Sequence, residues 1–182
     1  AVLIMSPGRA VKAYENCTDC CISPANKNPD FYKFGDEYTE SEPMNTAKVY
    51  LFGPPGGSVY TELSQLKGKK IGVRRGMNYG KGFAAAQLKI SMVNDLAQNI
   101  KKLEMGRIEA VIAYIPDMYL TLSDLNKPML PHDAAKPLAI HKDALVCKGV
   151  ASSFMDTFNK NLKALEASGD IRKILGDSYV AP

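Results

Sequence analysis

The stretch from Lys70 to Ala113 constrains this chain more than any other, because it alternates between strand and helix patterns with a short turn at each change. Lys70–Arg75 reads as a strand, and Gly76-Met77-Asn78-Tyr79-Gly80 as a glycine-bounded turn. A helix is expected from about Lys81 to Lys89, then a short strand at Ile90–Val93. Asn94 is the expected N-cap of the next helix, which carries Leu96, Ile100 and Leu103 on one stripe and stops at Gly106. Ile108–Ala113 is the closing strand. Strands that alternate with helices through short loops imply right-handed crossovers and a parallel sheet. Ligands of such sheets sit beyond the carboxyl ends of the strands, which directs attention to loops 23–30, 76–80 and 114–118.

The flanking segments extend this pattern. Ala1–Met5 is expected to be a strand, and Ser6-Pro7 then supplies an N-cap and a proline at the first helical position. Ala10, Val11 and Tyr14 fall on one face of that helix. Cys20–Ser23 reads as a second strand, followed by a polar loop from Pro24 to Asp30 whose two prolines exclude a helix interior. Ala47–Phe52 and Pro137–Lys148 are extended stretches that fit strands crossing between two lobes. Near the end, Ser153 and Asp156 suggest a capping box, with Phe154, Phe158, Leu162 and Leu165 on one helical face. Gly169 breaks that helix before a short final turn at Ile171–Leu175. There is no internal repeat and no low-complexity tract.

A chain of 182 residues is long enough for one large domain or two small lobes. Its 46% apolar and 23% charged residues are ordinary for a soluble globular protein. The net charge of +4 is spread over Lys67-Gly68-Lys69-Lys70, Arg74-Arg75 and Lys101-Lys102. Each cluster lies beside an apolar element and reads as a solvated face, which argues against a nucleic-acid partner. The apolar runs are far too short to span a bilayer. Ala1–Met5 lacks the basic start and the small-residue cleavage site of a signal sequence.

The cysteines are Cys17, Cys20, Cys21 and Cys147. A redox pair is expected at the start of a helix, where the dipole lowers a thiol pKa, but here Cys17 follows a helical stretch and Cys20 begins a strand. A zinc site needs a second pair of ligands, and neither His132 nor His141 has a suitable neighbour. A structural disulfide, with Cys17 and Cys20 as the candidate pair, or buried thiols remain. No metal and no cofactor are expected.

Leu66-Lys67-Gly68-Lys69-Lys70-Ile71-Gly72-Val73 with Gly76-Met77-Asn78-Tyr79 is similar to the opening of the second lobe in the amino-acid-receptor type of extracellular solute-binding protein (family 3). Leu103-Glu104-Met105-Gly106-Arg107-Ile108-Glu109-Ala110-Val111-Ile112 is similar to its next strand entry. Phe158 through Gly169, then Ile171-Arg172-Lys173-Ile174 to Tyr179, resembles its carboxyl-terminal helices, and Phe34-Gly35-Asp36-Glu37-Tyr38 is a looser match. Together they cover nearly the whole chain. The resemblance implies a two-lobed α/β fold of the type II periplasmic-binding class, with parallel-centred sheets flanked by helices. Residues 1–50 and 148–182 would form lobe 1, residues 53–137 lobe 2, and about 47–52 and 138–148 the crossover strands of the hinge. It further implies a periplasmic or extracellular protein that captures a small polar solute for an ABC permease without catalysing a reaction. It would not be embedded in a membrane, and would act as a monomer, or as a dimer because its first lobe lacks an opening strand–helix unit.

The chain departs from the family at two ligand positions. The family's carboxylate-binding arginine would fall at Asn26–Asn28, where Lys27 is the sole cation and offers a point charge in place of a planar fork. The aspartate that meets a ligand's ammonium aligns with Tyr114. These losses argue against a standard α-amino acid as ligand. Carried over position by position, the binding residues are Ser23, Asn26 and Lys27 from lobe 1, and Gly76, Met77, Asn78, Tyr114 and Asp117 from lobe 2. The N–H groups of 76–78 are expected to open a helix and receive an oxygen. Tyr114 would stack or donate, and Asp117 fits a ligand contact or a helix N-cap equally. Rival readings are a membrane-receptor sensing module, a dehydratase-like enzyme using Glu37, Asp117 or Lys27 as its acid, and a thiol redox protein built on Cys17 and Cys20.

Overall fold

The computed structural model describes all 182 residues, which divide into two compact units. Unit 2 is the continuous stretch Lys48–Ile140, and unit 1 is assembled from Ala1–Ala47 and His141–Pro182. The chain passes from one to the other inside β3 (Asn45–Phe52) and returns inside β7 (Ala139–Lys148).

Unit 2 realises the alternating pattern. Its strands lie in the order β3, β6 (Ala110–Ile115), β4 (Lys70–Arg74), β5 (Lys89–Val93). β6, β4 and β5 run parallel, and β3 is antiparallel to β6. Two helices, α3 (Leu96–Glu104) and α4 (Asp117–Asp124), close the core. Leu96, Ile100 and Leu103 form the predicted stripe and pack with Phe52, Val111, Met118 and Leu122. Gly72 lets α3 approach β4 closely: a Cβ there would lie 2.6 Å from Ile108 Cδ1 and 2.7 Å from Asn99 Oδ1.

Several local details differ from expectation. Asp95, not Asn94, caps α3, because its backbone is extended and its carboxylate accepts from the Ala97 N–H at 2.9 Å. Asn94 is occupied instead in accepting from Arg75 Nε at 3.0 Å. Helix α2 is confined to Lys81–Ala85, ending before Gln87, which adopts a φ of 49°, and β5 begins at Lys89. No residue of α2 is buried, so packing does not extend it.

Unit 1 has a different sheet. β1 (Cys20–Ala25) and β2 (Thr39–Glu40) both pair antiparallel with β7, so Cys147 faces Cys21 and also Thr39. Helix α1 (Pro7–Glu15) starts at the proline after Ser6, but it buries only Tyr14, and Val11 remains 39% exposed. The expected strand at Ala1–Met5 is not formed. Val2, Leu3 and Ile4 are 92%, 73% and 98% exposed, and strand propensity without a ladder partner does not fix an extended segment.

Helix α5 (Ser152–Ala167) starts one residue before Ser153, whose main-chain oxygen accepts from the Thr157 hydroxyl, so the expected capping box is absent. α5 buries Met155 and Leu162, while Phe154 and Leu165 stay partly in solvent. Gly169, at a φ of 75°, separates α5 from α6 (Asp170–Leu175). Two disulfides tie the unit, Cys17–Cys20 and Cys21–Cys147, and no cysteine is free. No helix is long and apolar enough to cross a membrane.

Candidate functional site

The sheet of unit 2 specifies where a crevice can open. The chain leaves β4 toward β5 on one side, then recrosses through α3 to reach β6 on the other. The carboxyl ends of β4 and β6 therefore stand side by side while their outgoing loops belong to different crossovers, the arrangement at which open α/β sheets bind ligands.

Four side chains converge there. Arg74 is the last residue of β4, and its Nη1 lies 3.5 Å from Oδ2 of Asp117, the first residue of α4. Both side chains keep about a third of their surface in solvent, at 32% and 36%. The Arg74 N–H donates to the Tyr79 hydroxyl at 3.0 Å. Tyr79 stacks on Tyr114 with ring centres 5.8 Å apart and planes 27° from parallel, and its other side meets Phe83 edge-on. The Tyr114 hydroxyl donates to the main-chain oxygen of Asn78. Burial pushes the Tyr79 phenol up to about 12, with the negative charge of Asp117 adding to the effect and the Arg74 main-chain bond opposing it.

Loops 76–80 and 114–118 are thus brought together, but the turn works differently from the expectation. Gly76 adopts a φ of 80°, the Met77 N–H donates to the Arg74 carbonyl at 3.3 Å, and the Asn78 side chain accepts from the Gly80 N–H at 2.9 Å. The 76–78 amides do not open a helix, because α2 begins only after Gly80. The N-cap position of α4 is Pro116, which leaves the Asp117 carboxylate to pair with Arg74.

In unit 1, Ser23 is exposed within β1, while Asn26 is 4% exposed and structurally committed. Its amide donates to the Lys142 carbonyl at 3.1 Å and its oxygen accepts from the Asn28 N–H at 3.0 Å. The Lys27 ammonium donates to the Tyr38 carbonyl at 2.9 Å, and the Lys27 N–H donates to Glu40 Oε1 at the same distance. These bonds pin the loop to its own unit. No group of three or more His, Cys, Asp or Glu side chains is arranged to hold a metal ion.

Sequence reasoning missed Arg74 and Tyr79 as site residues. Arg74-Arg75 read as one solvated pair, yet β4 ends between them: Arg74 turns in toward Asp117, and Arg75 stays exposed beside Asn94. The available signal was the strand end itself.

No protein-family model matches the chain, and no curated protein matches it. Solved structures do. A substrate-binding protein of an amino acid ABC transporter is 20% identical at a TM-score of 0.57, covering 76% of this chain and 62% of its own. The holo form of ArgBP from T. maritima is 13% identical at 0.66, covering 91% of this chain and 72% of its own. The second substrate-binding domain of a proposed amino acid ABC transporter from Streptococcus pneumoniae is 29% identical at 0.51, covering 79% and 66%. The chain thus spans less than two thirds of the length of the first of these. The fold is the mixed α/β fold of type II periplasmic-binding proteins. Its structural neighbours are solute-binding proteins of amino-acid ABC transporters.

Proposed function

We propose that this chain is the receptor component of an ABC importer that captures a small polar solute outside the cytoplasm and presents it to a permease. The observation that carries the reading is the convergence of Arg74, Tyr79, Tyr114 and Asp117 at the adjacent ends of β4 and β6, in a fold shared with transporter solute-binding proteins. In this reading the ligand contacts of unit 2 come from the loops that follow β4 and β6, and Ser23 is the unit 1 candidate that stays exposed.

The ligand is amino-acid-like without being a standard α-amino acid. Tyr114 stands where the resemblance puts the ammonium-binding aspartate, and its hydroxyl is engaged with Asn78. No arginine stands at 26–28, and the Asn26 amide is spent on Lys142 and Asn28.

A thermal-shift screen of amino acids, amines, carboxylates and sugars, with native mass spectrometry of the purified protein, tests this. A ligand raises the unfolding temperature in proportion to the logarithm of its concentration over its dissociation constant. A response to a small polar compound is expected, and none to arginine, glutamine or glutamate at micromolar concentration. A strong response to any of those three refutes the ligand class. A flat screen with nothing copurified refutes the receptor.

A further inference from the structure

Arg74 has a hydrogen-bonding arrangement that its ion pair does not complete. Asp117 meets the Nη1 end of the guanidinium at 3.5 Å, while the Arg74 Nε–H is buried without an acceptor. A guanidinium offers two flat edges, each matching both oxygens of a carboxylate, and the Nε edge is one of them. A buried donor without an acceptor carries a desolvation penalty that a ligand oxygen can remove. The pair with Asp117 is itself weak, because both groups are about one-third exposed and the contact is long. The guanidinium thus has a partner that is easily exchanged and an edge that is unfilled. Beside it, the buried rings of Tyr79 and Tyr114 stack on each other and back the two strand ends.

Resting on the receptor reading, we propose that Arg74 is the anion-receiving group of this protein, and that its ligand is a small carboxylate which takes the Nε edge and displaces Asp117. The carboxylate is then held from the end of β4 in unit 2, and the carboxylate of Asp117 serves as the occupant that keeps the guanidinium in place until the ligand enters. No covalent step is involved: one charge-assisted pair is exchanged for another with better geometry.

The test uses the full chain and thermal shift with lactate, succinate, benzoate and γ-aminobutyrate as carboxylate probes, and glucose, choline and putrescine as neutral or cationic probes. At least one carboxylate raises the unfolding temperature, and the neutral and cationic probes do not. Arg74→Gln and Arg74→Lys both lose that shift, the second because it keeps the charge but not the fork. Asp117→Asn binds the same probe about fivefold more tightly, the factor for removing a competing surface pair of about 1 kcal/mol. If Arg74→Gln does not fold, Arg74→Lys and Asp117→Asn decide the matter alone. Responses confined to neutral or cationic probes, or a carboxylate response that survives in the Arg74 variants, overturn the assignment and leave the receptor reading standing. A panel with no response overturns both.

Discussion

The hydroxyl of Tyr114 donates to the main-chain oxygen of Asn78, so the end of β6 holds the turn that leaves β4. Two loops 36 residues apart in sequence are thereby fixed to each other by a group of the site itself. Replacing Tyr114 with Phe keeps the ring stacked on Tyr79 and removes only this bond. The expected loss is about 1 kcal/mol, or about 2–4 °C in the unfolding temperature of a chain this size. Calorimetry checks it, and an unchanged temperature shows that the bond does not hold the turn.

The phenols of Tyr14, Tyr32 and Tyr79 are each pushed up to about 12, chiefly by burial. In the unfolded chain they ionise near the usual tyrosine value of about 10. Between those values the unfolded state binds fewer protons than the native state, so stability is intact below about pH 10 and falls as pH rises toward 12. Phenolate absorbance should show these tyrosines still protonated at about pH 11 in the native protein and ionised once urea unfolds it. The urea midpoint should be lower at about pH 11 than at about pH 9. Equal midpoints contradict the burial of these hydroxyls.

The two disulfides should differ in weight. Cys21–Cys147 closes a loop across 126 positions and Cys17–Cys20 across three. Chain-entropy arguments give the long bridge about 3–5 kcal/mol and the short one much less. Cys21→Ser with Cys147→Ser should therefore lower the urea unfolding free energy several times more than Cys17→Ser with Cys20→Ser. A thiol assay on the denatured, unreduced protein should find no free cysteine.

Asp95→Ala removes the side-chain acceptor at the start of α3 and should cost about 1 kcal/mol, while Asn94→Ala should be nearly neutral for the helix. Circular dichroism during urea unfolding separates the two, and a larger effect at Asn94 would reverse the assignment of the cap.

That one-residue exchange shows which part of the fold was legible beforehand. Asn94 and Asp95 are both good capping types, and only the backbone conformation at 95 decides between them. The parallel run of unit 2 was readable because each strand, turn and helix stripe from Lys70 to Ala113 is a local signal with short connections. Unit 1 was readable only in pieces, since β1 finds its partner more than 120 residues away, and neither the pairing of Cys21 with Cys147 nor the failure of Ala1–Met5 to become a strand leaves a local trace. Asn78, Tyr114 and Asp117 were offered by the resemblance, and they stand together at the ends of β4 and β6. Arg74 was not offered, because a charged pair at a strand terminus looks the same in sequence whether one member turns inward or both face water.

The continuity of Lys48–Ile140 set against the divided composition of unit 1 also dictates an order of events on the ribosome. Every pairing partner within the parallel run β4, β5, β6 has emerged before β7 is made, so that half can fold while translation continues. The other half must wait: β1 and β2 are synthesised early but have no partner until Ala139–Lys148 has been made. During that interval Cys17, Cys20 and Cys21 are present without Cys147, and correct cross-linking depends on Cys21 forming no bridge with its near neighbours until Cys147 has been made.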